Sequence, residues 1–332
     1  MRHDTGILEE RDLIVMMMGA NVFADTSEMS REQWLEARRK GIGGSDASAI
    51  LGVNPYSSPL KVYLDKVGST REDEENEAMR QGRDLEDYVA QRFTEETGFK
   101  VQRCNRILQH PSYPWMLANI DRRIPGMNEG LECKTASPYT KFNFEAGEIN
   151  PHYYWQAMHY MAVTGADAWY VAILVLGKSF HVFKVVRNND EIDQLIAAEK
   201  DFWEHHVLLK VPPLPTGSEP DGEVIDAIYP QADIDEPVME LFDMDDVLNL
   251  RALKVAQRDD LQKEIEEIDQ SVKLAMGTFE KGTSINWIVR WSNTSTSRID
   301  TKALKQKYPE IAAEVTKTTA GRRFSIQRVK EQ

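Results

Sequence analysis

The chain has 332 residues and 41% hydrophobic composition, enough to bury one large core or two ordinary ones. No apolar run is long enough to span a bilayer, and the two cysteines, Cys104 and Cys133, supply neither a zinc or iron–sulfur signature nor a disulfide framework. The net charge of −14 speaks against nucleic acid as a partner until its distribution is read: residues 219–269 carry 17 acidic and 4 basic side chains, whereas residues 281–332 carry 11 basic and 4 acidic. A basic segment of that kind can contact phosphate while the whole chain stays acidic, and it fits a merely solvated face equally well.

In chain order, residues 1–30 form a lead-in without an assigned element. Within it Leu13–Met18 is too short, and follows an acidic stretch, so it is a poor signal peptide; with no disulfide framework a reducing cytoplasm is the expected location. Ser30, with Gln33 three residues on, predicts the N-terminus of a helix to Arg39. Gly41-Ile42-Gly43-Gly44-Ser45-Asp46 then reads as a turn opening a further helix. Leu85 to Thr97 is helical and closed by Gly98. Strands are expected at Phe99–Arg103, Arg106–Gln109, Trp115–Ile124 and Gly130–Thr135, then a helix from Tyr153 to Val163 stopped by Gly165. Ala168–Leu176 reads as a buried central strand with Phe180–Val186 as its hairpin partner. A helix follows from Asp190 or Glu191 to Leu209.

The prolines between Val211 and Pro220 predict a domain boundary. Beyond it Leu261, Ile265, Ile268, Val272, Ala275 and Phe279 alternate spacings of four and three, a helix with a narrow apolar seam. Ile285, Trp287, Val289 and Trp291 alternate along a strand, with Arg322–Arg328 expected as its partner and a helix over 300–315 between them. The tryptophans could stack on bases, but packing against the helical seam is the expectation. Of the seven histidines, His159 reads as a helix-packing residue and the others as surface or satisfied groups.

The chemistry concentrates at Gly130-Leu131-Glu132-Cys133-Lys134-Thr135. Strand alternation puts Glu132 and Lys134 on one face and Leu131 and Cys133 on the other. Turn formers between Ile124 and Gly130 predict a hairpin that brings Asp121 near Glu132 and Lys134, in a register the sequence leaves open. Two carboxylates and an ammonium suit a divalent cation and a phosphate ester. The same residues also fit a solvated salt-bridging face; the apolar flanks Leu117, Ala118, Leu131 and Cys133 favour burial, where carboxylates without partners are costly.

Trp34, Arg38, Gly43-Gly44-Ser45-Asp46, Gly82-Arg83-Asp84-Leu85-Glu86, Asp121 and Glu132-Cys133-Lys134, in that order, resemble the lambda-exonuclease branch of the PD-(D/E)xK nuclease superfamily. The run from Tyr153 to Gly165, with Ala168-Trp169-Tyr170, is most similar to the YqaJ-like phage recombinase subgroup. The resemblance covers residues 30 to 210 and implies an α/β (α+β) restriction-endonuclease-like core, a central mixed sheet flanked by helices. It implies Asp121, Glu132 and the backbone carbonyl of Cys133 as ligands of Mg²⁺ (or Mn²⁺), Glu86 as the carboxylate for a second ion, and Lys134 beside the attacking water. Gln156 would position water or phosphate, Tyr160 is either a site residue or core packing, and Arg38 with Ser45 would hold a terminal 5′-phosphate. Arg122-Arg123 after Asp121 departs from the glycine many relatives have there, and adds positive charge beside the site.

The expected organisation is a lead-in (1–30), a nuclease domain (31–210), a Pro-rich linker (211–222) and a C-terminal extension of helix and β-hairpin (223–332). The expected activity is 5′–3′ digestion of linear double-stranded DNA, leaving a 3′ single strand for an annealing recombinase, with a homo-oligomer implied by the resemblance. The rival readings are a structure-specific or endonucleolytic enzyme of the same fold and a DNA-end-binding or recruiting module.

Overall fold

The computed structural model describes residues 19–69, 76–233, 235, 237–318 and 321–329. Leu13–Met18 therefore lies outside the described residues. The chain divides into two compact units, one ending at Pro230 and one beginning at Gln231. Among the described residues no helix is long and apolar enough to cross a membrane.

The first unit runs β1 (Asn21–Asp25), α1 (Arg31–Arg39), α2 (Gly44–Ile50), α3 (Pro59–Lys66), α4 (Glu77–Thr97), β2 (Gln102–Arg103), β3 (Arg106–Gln109), β4 (Leu117–Asn119), β5 (Arg122–Arg123), β6 (Glu129–Ala136), α5 (Pro151–Thr164), β7 (Ala168–Val175), β8 (Ser179–Val186), α6 (Asn189–Asp201, continuing through a π-helical stretch Phe202–Leu208) and α7 (Glu219–Ile228). Local chemistry sets the helix ends. Ser30 caps α1 through a capping box, its Oγ accepting from Gln33 N and the Gln33 Oε1 accepting from Ser30 N. Gly98 and Gly165 close α4 and α5 in the left-handed conformation.

A five-stranded mixed sheet of order β2-β5-β6-β7-β8 forms the centre, antiparallel except for the parallel pair β6–β7. Helices cover both faces, as expected. On one side Val89, Ala90 and Phe93 of α4 pack on Ile124, Leu131, Tyr170 and Ala172. On the other, Ala157, Met158 and Met161 of α5 pack on Trp169, Val171 and Ile173. The expected alternation of β6 holds: Leu131 and Cys133 turn toward α4, Glu132 and Lys134 toward α5. A second antiparallel sheet has the order β1-β3-β4.

Several expectations are corrected. Trp115–Ile124 is not one strand. Leu117–Asn119 pairs with β3, whereas Arg122–Arg123 joins the central sheet, so Ile120 and Asp121 carry the chain from one sheet to the other. The lead-in contains a strand, β1. Helix α4 starts eight residues before Leu85, running through Gly82, which passes close over Thr135. The break expected over 211–222 is part of the first unit: Asp221 accepts from the backbone N and Oγ1 of Thr216, and Val224 of α7 packs with Leu60, Tyr63, Phe202 and Val207. The division falls after Pro230 instead.

The second unit holds α8 (Asp245–Met276), a hairpin of β9 (Lys281–Thr283) with β10 (Ile288–Arg290), α9 (Thr301–Lys307) and α10 (Pro309–Glu314). The expected seam lies on α8, although Phe279 falls beyond its end. Residues 322–328 form no strand; β10 takes its nearer neighbour β9 instead.

Gly130 is required by packing rather than by backbone conformation. A Cβ there would lie 2.3 Å from two atoms of the buried Trp169 ring on the neighbouring strand. Gly130→Ala should therefore cost about 1–3 kcal/mol through overpacking, read as a lower midpoint in urea unfolding.

Candidate active site

The site is built on the β5–β6 pairing. Arg122 pairs with Leu131 and Arg123 with Gly130, so Asp121, at the end of β5, comes up against Glu132 and Cys133. Its Oδ2 accepts a hydrogen bond from the Cys133 backbone N at 2.8 Å. This is the register the sequence left open.

Glu132 is buried. Its Oε1 accepts from Lys134 Nζ at 2.6 Å and from Gln156 Nε2 at 2.6 Å, and Gln156 Nε2 also donates to the Tyr160 hydroxyl at 2.8 Å. The other oxygen, Oε2, is buried with no protein partner. A buried carboxylate oxygen left in this way is costly unless something binds it. Lys134 Nζ also lies 5.4 Å from the centroid of the Tyr153 ring.

The electrostatics follow from this crowding. Burial, then the charges of Glu132 and Glu86, push the Asp121 carboxyl well above its ordinary value. Burial alone would lower Lys134, but Glu132 and Asp121 outweigh it and raise it, so the ammonium stays charged. Burial and the same two carboxylates push the Tyr160 hydroxyl well up, and it stays protonated. His152 is pushed down to about 4 by burial and by the Lys134 charge, and is neutral.

Glu86 is held in an ion pair with Arg122 at 2.5 Å. The same guanidinium donates to Asp87 at 2.7 Å and to the Asp121 backbone carbonyl at 2.7 Å. Glu86 thus reaches the cluster through Arg122. The sequence shows the charge of Arg122 but not this clamp, because the contact joins residues 36 positions apart. Nor does the sequence single out Tyr153 as a site residue, although its spacing of three from Gln156 on one helix puts the two on one face.

Arg38 and Ser45 form a pair of their own, with Arg38 Nη2 donating to Ser45 Oγ at 3.0 Å and the guanidinium lying over Trp34. Beneath them Lys66 Nζ pairs with Asp46 at 2.7 Å and donates to the Arg38 carbonyl at 3.2 Å. Burial opposes ionisation of Asp46, but Lys66 and Arg38 outweigh it and hold the carboxyl low. This pair sits close to the cluster: a Cβ on Gly44 would lie 2.6 Å from the Tyr160 ring, so only glycine lets α2 approach α5 there.

The donor set fits a hard divalent cation. Two carboxylates and a peptide carbonyl are all oxygen donors; Glu132 has an oxygen with no protein partner, and the neighbouring negative charge that raises the Asp121 carboxyl is charge a cation would offset. Among the described residues no three His, Cys, Asp or Glu side chains gather as a cluster that could hold a metal by themselves. His159, expected as packing, is fully buried: its Nδ1 lies 2.7 Å from Glu199 and its Nε2 2.9 Å from the Leu117 carbonyl, tying α5 to α6 and β4.

Comparison with known proteins bears on this geometry. Residues 33–167 match the YqaJ-like viral recombinase domain. The uncharacterized protein YqaJ of Bacillus subtilis (strain 168) is 38% identical over 314 residues, covering 93% of this chain and 98% of that protein. The chain belongs to the YqaJ family. Among solved structures, an alkaline exonuclease from Laribacter hongkongensis aligns with a TM-score of 0.45 and 19% identity, over 54% of this chain and 94% of that one. A protein described as a putative exonuclease from Eubacterium rectale aligns with a TM-score of 0.43 and 12% identity, over 64% of this chain and 96% of that one. The YqaJ-domain match runs from within α1 to the residue before β7, and so includes Arg38, Ser45, Glu86, Asp121, Glu132, Lys134, Gln156 and Tyr160.

The raised Asp121 carboxyl has a pH signature. The folded chain holds this proton above the ordinary value of 3.8, so its contribution to stability is full below that value and is lost as pH rises through the folded-state value. In chelator, Asp121→Asn should melt higher than wild type at neutral pH, with the difference closing in acid. Parallel melting-temperature curves across pH would refute the assignment.

Proposed function

We propose that this YqaJ-family protein is a deoxyribonuclease: a Mg²⁺-dependent enzyme that digests linear duplex DNA from the 5′ end. The observation that carries this reading is the convergence of Asp121, Glu132 and Lys134 on one strand edge, with a buried carboxylate oxygen open, beside the Arg38–Ser45 pair.

Asp121, Glu132 and the Cys133 carbonyl would hold Mg²⁺ or Mn²⁺. When bound, the ion supplies Lewis acidity, lowering the pKa of water and offsetting charge on a phosphoryl oxygen. Glu86 would serve a second ion, and to do so it must exchange its pairing with Arg122.

The chain's own groups do the rest. Lys134 keeps its proton on Nζ and so acts as a donor, orienting the attacking water and stabilising negative charge as it develops on phosphorus-bound oxygen. Gln156 is locked between Glu132 and Tyr160 and holds the carboxylate in orientation. Water attacks phosphorus and the bond to the 3′ oxygen breaks, so a 5′-mononucleotide leaves and the shortened strand again ends in a 5′-phosphate. Arg38, with Ser45, would receive that phosphate through charge-assisted hydrogen bonds and give the enzyme its direction. The remaining 3′ strand would pass to an annealing recombinase, which the family's description as a viral recombinase supports.

The test is digestion of linear duplex with and without 5′-phosphate, in Mg²⁺ and in chelator, with covalently closed circular DNA as control. Lys134→Ala should lose about 10²–10³-fold in rate. Equal rates for wild type and Lys134→Ala would refute the site, and cutting of closed circles would refute the exonuclease reading. Arg38→Ala should lower kcat/KM on 5′-phosphorylated ends by about 10–100-fold, the loss of one charged hydrogen bond, and leave hydroxyl ends nearly unchanged.

A further inference from the structure

The β9–β10 ribbon of the second unit has features that its own fold does not use. Its register places Arg290 directly opposite Lys281. Like charges at opposed positions disfavour pairing, and among the described residues neither cation is in an ion pair. The other face carries Trp287, Val289 and Trp291 in alternation. Only its centre is covered: Val289 pairs with Gly282, which lies against Met276 at the end of α8. The tryptophans on either side, which the sequence suggested would pack on the seam of α8, are 75% and 49% exposed.

Both tryptophans are nonetheless held by their backbones. Trp291 N donates to the Glu280 carbonyl at 2.8 Å, Trp287 N donates to Ser284 Oγ, and the Trp287 carbonyl accepts from Ser284 N at 2.9 Å. These are aromatic rings on a fixed frame, spaced roughly 13 Å apart along the strand. The surrounding segment, 281–332, is the basic part of an acidic chain.

We propose that this ribbon is a binding site for single-stranded DNA. Trp287 and Trp291 are platforms for unpaired bases, and Lys281 and Arg290 contact the phosphates. A ribbon two strands wide is about 5 Å across, so one nucleic-acid strand laid over its edge reaches both faces. Exposed rings select single strands because a duplex hides the faces of its bases, and stacking tolerates any sequence. Paired cations without carboxylates select a polyanion over an apolar protein surface. The site lies in the second unit and does not depend on the nuclease reading.

The test is fluorescence anisotropy of labelled oligothymidine with the full chain in chelator, where no digestion confuses the result, across a salt series. Replacing both Trp287 and Trp291 by alanine should weaken binding by about 10-fold or more per ring, and replacing both by phenylalanine should retain most of it. The pair Lys281→Gln and Arg290→Gln should reduce the slope of log affinity against log salt by about 1.4, a readout that a merely structural role would not move. Unaltered binding in the alanine pair, equal loss in the phenylalanine pair, or an unchanged salt slope in the glutamine pair overturns the proposal. So does a protein ligand that needs the tryptophans while DNA binding does not.

Discussion

Where β5 meets β6, the backbone brings two acidic side chains to one strand edge, and the Asp121 carboxylate spends one oxygen on the Cys133 N–H. That contact couples everything around it. With Asp121 fixed there, Glu132 cannot be remote from it, and the two carboxylates raise the charge density of a poorly solvated edge. Lys134 is held charged by the same density, and its bond to Glu132 together with that of Gln156 saturates one oxygen and leaves the other without a protein partner. A buried arrangement of this kind is unfavourable in isolation and becomes reasonable as a receptor for positive charge.

The rest of the first unit supports that edge. Leu131 and Cys133 anchor β6 to the α4 side, so its polar face must turn toward α5. Gly130 lets Trp169 pack against the start of the strand, and Gly44 lets α2 close on Tyr160. The buried His159–Glu199 pair and the Leu117 carbonyl bolt α5 to β4, the strand that leads into Asp121. Arg122, buried beside the site, restrains Glu86 and the Asp121 carbonyl at once. Groups from several elements thus support one end of a sheet whose longest strands are eight residues long.

Legibility in the sequence followed the range of the interactions. Helix α1 was readable because Ser30 and Gln33 settle its start between themselves, and β6, β7 and β8 because alternation and unbroken apolar runs are local patterns. The segment 115–124 misled because both its halves are extended; what separates them is a change of partner, which no local pattern records. The prolines before Pro220 looked like a linker because composition cannot show Thr216 capping Asp221 or Val224 entering a core built from residues 60–63 and 202–207. Arg322–Arg328 has strand-like alternation, but β9 lies nearer along the chain to β10 and closes a smaller loop.

The sequence by itself determined the family pattern, the face of β6 that carries Glu132 and Lys134, and the order in which Arg38, Ser45, Glu86, Asp121 and Gln156 arrive. These depend on residue type and on the two-residue period of a strand, which need no partner. Only the tertiary structure decided the register that sets Asp121 on Cys133, the clamp of Arg122 on Glu86, the open oxygen of Glu132, and the exposure of Trp287 and Trp291. Each of these is a relation between segments distant in the chain or a matter of what covers a surface, and both are settled by packing rather than by local preference.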